Sequence, residues 1–283
     1  MSQPETLLLG FIAGVTIFLG LPLGRLRNPR PELRQFLNAL AIGILIFLLW
    51  DVLTIAWGPI DAALGDIYNG DGGFGSAFGY GALFVGATAV GLMSLVYYER
   101  WLEARSARST GLPPPAIGDV GAAAETRPIP WSAAKRLALL IAVGIGLHNF
   151  GEGLAIGGSA ASEKISLATV LVIGFALHNA TEGFGIVAPL AAEAERPSWQ
   201  FLFAMGVIGG GPTFLGTLIG RQFTSDAMMV IFLTLAAGSI IYVVVQLLGV
   251  AHRAQRKELL YWGLLAGVMA GFMTDAVVIA GGA

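Results

Sequence analysis

Eight apolar runs, each about as long as a bilayer's hydrocarbon core is thick, dominate the chain: residues 6–24, 35–57, 76–98, 133–158, 165–190, 199–220, 228–250 and 259–281. Together they occupy most of the 283 positions. Charged residues make up 12% of the chain against 55% apolar ones, roughly half the charge that a soluble exterior carries. A water-facing surface cannot be assembled from that supply, whereas a lipid-facing one needs charge only at the ends of its spans. The expected fold is an all-α integral membrane protein of eight transmembrane helices, forming a single transmembrane domain over residues 1–283.

The basic residues set the expected orientation. Glu5 precedes the first run and Arg25, Arg27, Arg30 and Arg34 follow it, the reverse of a cleavable signal peptide, so this run is read as a retained helix with its N-terminus outside. From that start, 14 of the 16 basic residues fall on the cytoplasmic side, leaving only Lys164 and Arg221 outside, and the C-terminus also faces out. The outer loop after the second run carries Asp61, Asp66 and Asp71, which makes that mouth mildly attractive to cations. Residues 100–132, with Pro113, Pro114 and Pro115, have linker composition and are expected to form a flexible cytoplasmic loop dividing the helices three and five.

Composition also excludes several functions. The net charge of −2 and dispersed basic residues leave no footprint for nucleic acid. The chain has no cysteine, so disulfides, thiolate catalysis and thiolate ligands are absent, and any bound metal is held by nitrogen and oxygen. The 40 glycines recur at spacings of four, as in Gly10 and Gly14, Gly153 and Gly157, Gly216 and Gly220, and Gly263, Gly267 and Gly271. Close helix packing is their sufficient explanation.

Against this apolar background, Asp51, Glu152, Glu182 and Asp275 lie inside expected spans, as do two of the three histidines, His148 and His178. Each such group needs a partner, a cavity or an ion. The strings His148-Asn149-Phe150-Gly151-Glu152-Gly153 and His178-Asn179-Ala180-Thr181-Glu182-Gly183 repeat one pattern at an offset of 30 residues. On a helix each His shares a face with its Glu, and a short connection makes the two helices antiparallel neighbours. Two imidazoles, two carboxylates and two amide oxygens then converge. That donor set suits zinc, and also iron(II), manganese or cobalt, and disfavours copper(I). Two buried carboxylates without a cation cannot both stay ionised, which couples metal release to protonation. Asp51 and Asp275 are read either as groups along the ion's path or as charges paired within the bundle.

At these residues the chain resembles the ZIP family of divalent metal transporters, whose fourth helix carries H-N-x-P-E-G and whose fifth carries a related motif. Eight spans, outward termini, a long cytoplasmic loop after the third helix and the stretch Ala237–Val243 agree with that likeness. The resemblance implies that His148, Glu152, His178 and Glu182 form the primary transport site, with Asn149 and Asn179 facing an adjacent secondary position. Gly151 and Thr181 replace the family's prolines, Asn179 stands where an acidic or amide residue is usual, and Gly211 replaces a glutamate before Pro212. One strong metal position rather than two is therefore expected. The long loop also lacks the histidines common in relatives.

The resulting expectation is a secondary transporter, not an enzyme, that moves divalent transition metals into the cytoplasm by alternating access. The metal, zinc first and also iron, manganese, cobalt or cadmium, is substrate and not cofactor. Its partners are the ion and the bilayer, with homodimerisation left open, and its expected location is the inner or plasma membrane of a prokaryote. Two rivals stand beside it. One is a membrane-embedded zinc metallohydrolase, which lacks the H-E-x-x-H spacing. The other is a proton-coupled carrier of a non-metal substrate.

Overall fold

The computed structural model describes residues 2–26, 31–110, 131–161, 165–193, 195–220, 222, 225–253 and 256–280. The regular elements among them are all helical: α1 Gln3–Val15, α2 Pro31–Asn69, α3 Phe74–Thr110, α4 Ala133–Ala161, α5 Ile165–Val187, α6 Trp199–Gly220, α7 Asp226–Arg253 and α8 Lys257–Ala280. Turns of 3-10 helix follow α1, at Thr16–Leu19 and Leu21–Arg25, and α5, at Ala188–Ala192. Seven of the described helices are long and apolar enough to cross a membrane, and α5 fills the remaining expected run. The protein is an all-helical, multi-pass membrane protein.

Helix ends depart from the apolar runs where polar sequence continues a helix into water. At 39 residues α2 is about 58 Å long, roughly twice the hydrocarbon thickness. It carries Asp61 and Asp66 on its last turns, which corrects their assignment to a loop, and only Asp71 lies in the turn. Gly70 makes that turn, with φ of 82°, the left-handed conformation that ends helices. The amides of Asp71 and Gly72 then close back on Asp66 O at 2.9 and 3.1 Å. Similarly, α3 extends to Thr110, so residues 100–110 of the expected loop are helical. Glu, Arg, Leu and Ala in that stretch are strong helix formers, and their polarity marks solvent rather than coil. Residues 111–130, with Pro113 to Pro115 and Arg127, lie outside the described residues, as do Arg27, Arg30, Lys164 and Arg221.

Packing sorts the helices into two sets of four, α1 with α4, α5 and α6, and α2 with α3, α7 and α8. Glycines make the seams within each set. A methyl group at Gly14 would fall 2.3 Å from Gly210 O, one at Gly153 2.1 Å from Thr213 O, and one at Gly216 2.2 Å from Phe150 O. In the second set the same role falls to Gly43 against Leu264 O at 2.3 Å and Gly238 against Thr88 O at 2.3 Å. Without a hydrophobic force between helices in lipid, such backbone approach is the main source of association. Larger side chains, among them Ile42, Ile145, Ile186, Ile240 and Leu247, fill the core where the two sets meet.

Candidate metal centre

The two H-N-x-x-E-G segments meet in the middle of α4 and α5, and their side chains are almost wholly buried: His148 1%, Glu152 5%, His178 8% and Glu182 1% exposed. Both helices run unbroken through Gly151 and Thr181, the positions at which proline would have kinked them. The Thr181 hydroxyl donates to His178 O at 2.7 Å, so it engages the backbone without a break. Helical periodicity stacks His148 over Glu152, with His148 Nε2 3.0 Å from Glu152 Oε1. Across the helix pair, His178 Nε2 is bonded to the same Glu152 oxygen, and Glu182 Oε1 lies 3.7 Å from His148 Nε2. The imidazole ring centroids stand 6.3 Å apart, and the Phe175 and His178 rings meet edge to face with centroids 5.4 Å apart.

Donor atoms of His148, Glu152 and His178 all lie within 4.8 Å of one another, the spacing of ligands around one ion. His148 Nε2 has no hydrogen-bond partner, and neither do Glu152 Oε2 and both oxygens of Glu182. Buried polar atoms are ordinarily satisfied, and leaving one unmet costs about 1–3 kcal/mol. A cluster of unmet lone pairs from imidazole and carboxylate is one that could hold a metal ion.

Asn149 and Asn179 are fully buried on the side of the cluster toward α1 and α6. Asn149 Nδ2 donates to Gly209 O of α6 at 3.0 Å, and Asn179 Nδ2 donates to Ala13 O of α1 at 3.1 Å. Ala13 O also accepts from Thr16 Oγ1 at 2.6 Å, at the point where α1 tightens into its 3-10 turn. The sequence reading missed these backbone clamps. It also missed Thr213, whose buried hydroxyl has no partner, although a threonine in an apolar span was a visible signal. Gly211 shares a face of α6 with exposed Val207 and Leu215, and a methyl there would meet, among the described residues, only Val207 at 3.8 Å. A carboxylate at that position would point away from the cluster.

Asp51 and Asp275 are partly buried and lie outside the cluster, in a cavity of about 310 Å³ between α2, α5 and α8. His178 and Thr181 form part of its wall, with Phe47, Phe175 and Thr274. The cavity thus connects the two aspartates to one of the clustered histidines.

A multi-pass helical protein with a buried cluster of imidazole and carboxylate groups that could hold a metal ion fits the class of membrane proteins that handle metal ions. The family model described as ZIP Zinc transporter matches residues 119–277, more than half of the chain, and the chain belongs to that family. The match spans α4 to α8 with both cluster motifs. Members of the family are divalent metal transporters and not enzymes, and for them the metal is substrate. No curated protein matches this chain.

Proposed function

We propose that the protein carries zinc into the cytoplasm, with iron(II), manganese, cobalt and cadmium as further substrates, and that His148, Glu152, His178 and Glu182 hold the ion in transit. The observation that carries this reading is the convergence of His148, Glu152 and His178 within 4.8 Å of one another, with Glu182 beside them and unmet atoms on His148, Glu152 and Glu182. Asn149 and Asn179 support it, since their clamped amides fix the two helices on which the ligands ride.

Asp51 and Asp275 serve as stations on the ion's route. Their cavity has room for about ten waters at the volume of the liquid, enough for an ion that keeps its first hydration shell. Dehydration then takes place against His178. The topology that fits the distribution of basic residues is eight spans in one domain, with both termini outside. The ligand cluster lies in one set of four helices and the aspartates in the other, so relative movement of the two sets supplies alternating access. A second copy packs on α3, where a methyl group on Gly75, Gly79 or Gly86 would meet no neighbouring atom of the described residues within 4 Å. Cysteines at Gly79 that cross-link two copies are the test of that contact.

Uptake into sealed proteoliposomes tests the transport reading. Zinc should accumulate with the purified protein and fail to do so with the double variant His148→Ala, His178→Ala. Turnover of a peptide or ester substrate without ion uptake would favour the hydrolase instead.

A further inference from the structure

The wall of the cavity between α2, α5 and α8 is mostly apolar, which is more than a hydrated ion needs. Buried Ile44, Phe47 and Leu48 of α2 supply one side, and Phe175, Leu177 and Ala270 supply much of the rest. Phe47 is braced by Trp50 and Phe272, with ring centroids 5.8 and 4.8 Å away. An ion in its water shell gains nothing from such a wall and leaves apolar surface wetted. A ligand with an apolar body covers that surface.

The polar groups in the wall narrow the choice. The Thr181 hydroxyl donates to His178 O at 2.7 Å, the Thr274 hydroxyl donates to Ala270 O at 2.9 Å, and His178 Nε2 is bonded to Glu152. Asp51 and Asp275 remain, with no hydrogen bond or salt bridge among the described residues, and no lysine or arginine of those residues lines the cavity beside them. Carboxylates only accept when ionised, so this pair calls for positive charge. Phe47 and Phe175 add aromatic rings, which attract an ammonium group as well. Access follows from exposure. Leu177 lines the cavity yet is 58% exposed, and Ile173, one turn before it, is 52% exposed, so the cavity reaches the outer side of the bundle at α5. Leu177 adjoins His178 in the middle of that helix, where the surroundings are hydrocarbon.

We infer that this cavity is a binding site for an amphipathic organic cation, a quaternary or protonated tertiary ammonium on a small apolar body. The head rests by Asp51 and Asp275, and the body lies against Phe47, Leu48 and Phe175. The volume of about 310 Å³ is at the lower end of small-molecule pockets, which suits a ligand of one ring and its head group. Few precisely placed polar groups in a mainly apolar wall are the usual make-up of such pockets. Since the proposed path of the metal crosses the same cavity, the bound ammonium holds zinc out. That consequence rests on the ion-route reading, and the binding itself does not.

The test uses full-length protein in detergent, stripped of metal with a chelator, and follows thermal unfolding as benzyltrimethylammonium chloride replaces sodium chloride at constant ionic strength. The ammonium should raise the Tm in a saturable way, as a ligand of the native state does. Neutral 2-phenylethanol should not, and tetramethylammonium, which has the head without the ring, should bind about tenfold more weakly or worse. Asp51→Asn and Asp275→Asn should each weaken the ammonium about tenfold, and Ala270→Phe, which fills the cavity with a ring, should abolish its effect. Zinc, added in a parallel series, should stabilise all three variants. A response to 2-phenylethanol equal to that of the ammonium would mark a site for lipid chains and overturn the proposal, as would an ammonium response undiminished in both aspartate variants. If the variants do not fold, crystals of the unmodified protein soaked with 4-bromobenzyltrimethylammonium decide: a bromine anomalous peak between α2, α5 and α8 supports the site, and its absence there refutes it. Zinc uptake into proteoliposomes separates the two readings. Binding of the ammonium with uptake unaffected upholds the site and overturns the route, whereas zinc uptake by a protein that shows no ammonium binding overturns the site and leaves transport standing.

Discussion

Substituting Gly153 with alanine probes how tightly the cluster depends on the α4–α6 seam. The added methyl would lie 2.1 Å from Thr213 O, 2.8 Å from Thr217 N and 2.9 Å from Gly216 Cα. All three are backbone atoms, so no side-chain rotation relieves the clash. Against an ordinary contact of 3.4 Å the shortfall is 1.3 Å, and α6 must retreat by about that much. The same helix offers Gly209 O to Asn149 at 3.0 Å, and a movement of this size takes the bond beyond hydrogen-bonding range. Overpacking of this kind costs about 1–3 kcal/mol, and loss of a residue that orients the ligand helix costs about 10- to 100-fold in metal affinity. Thermal unfolding in detergent and zinc titration read the two effects, with Gly86→Ala as control, because a methyl group there would meet no neighbouring atom of the described residues within 4 Å. Gly153→Ala with the native Tm and native zinc affinity would refute the claim that backbone contact at this seam positions the cluster.

Other outcomes follow from the same geometry. Glu152→Gln should weaken zinc binding more than Glu182→Gln does, because Glu152 Oε1 meets both imidazoles while Glu182 reaches only His148 at 3.7 Å; calorimetric titration of the pair tests the order. Asp51→Asn combined with Asp275→Asn should slow zinc uptake into liposomes several-fold with equilibrium zinc affinity little changed, since the aspartates line the cavity and not the cluster; an equal loss of affinity would contradict the route. A cysteine at Ser109, in a chain with none of its own, should react with an impermeant reagent only from the cytoplasmic face, and labelling of intact cells from outside would reverse the orientation.

Much of the fold was legible because lipid imposes a simple rule: about 20 apolar residues make one span. The same rule misread the helix ends. It detects where lipid stops, and α2 and α3 continue as helix beyond that point, carrying Asp61, Asp66 and residues 100–110 with them. The convergence of His148, Glu152, His178 and Glu182 could be anticipated from the i, i+4 spacing and a short connection, since both act locally. The clamps on Asn149 and Asn179 could not. They run to carbonyls 60 and 166 residues away, and every residue has a carbonyl, so no residue type announces which one is used. The direction of Gly211 was equally hidden, because it depends on the rotation of α6 about its axis, which the contacts of Gly210, Thr213 and Gly216 with α1 and α4 determine.

Anomalous diffraction at the zinc edge, on crystals of the zinc-loaded protein, tests the central claim most directly. The account predicts one dominant peak between α4 and α5, about 2.0–2.2 Å from imidazole nitrogens of His148 and His178 and carboxylate oxygens of Glu152 and Glu182. A dominant peak at Asp51 and Asp275 or on the surface, with none among those four side chains, would contradict it.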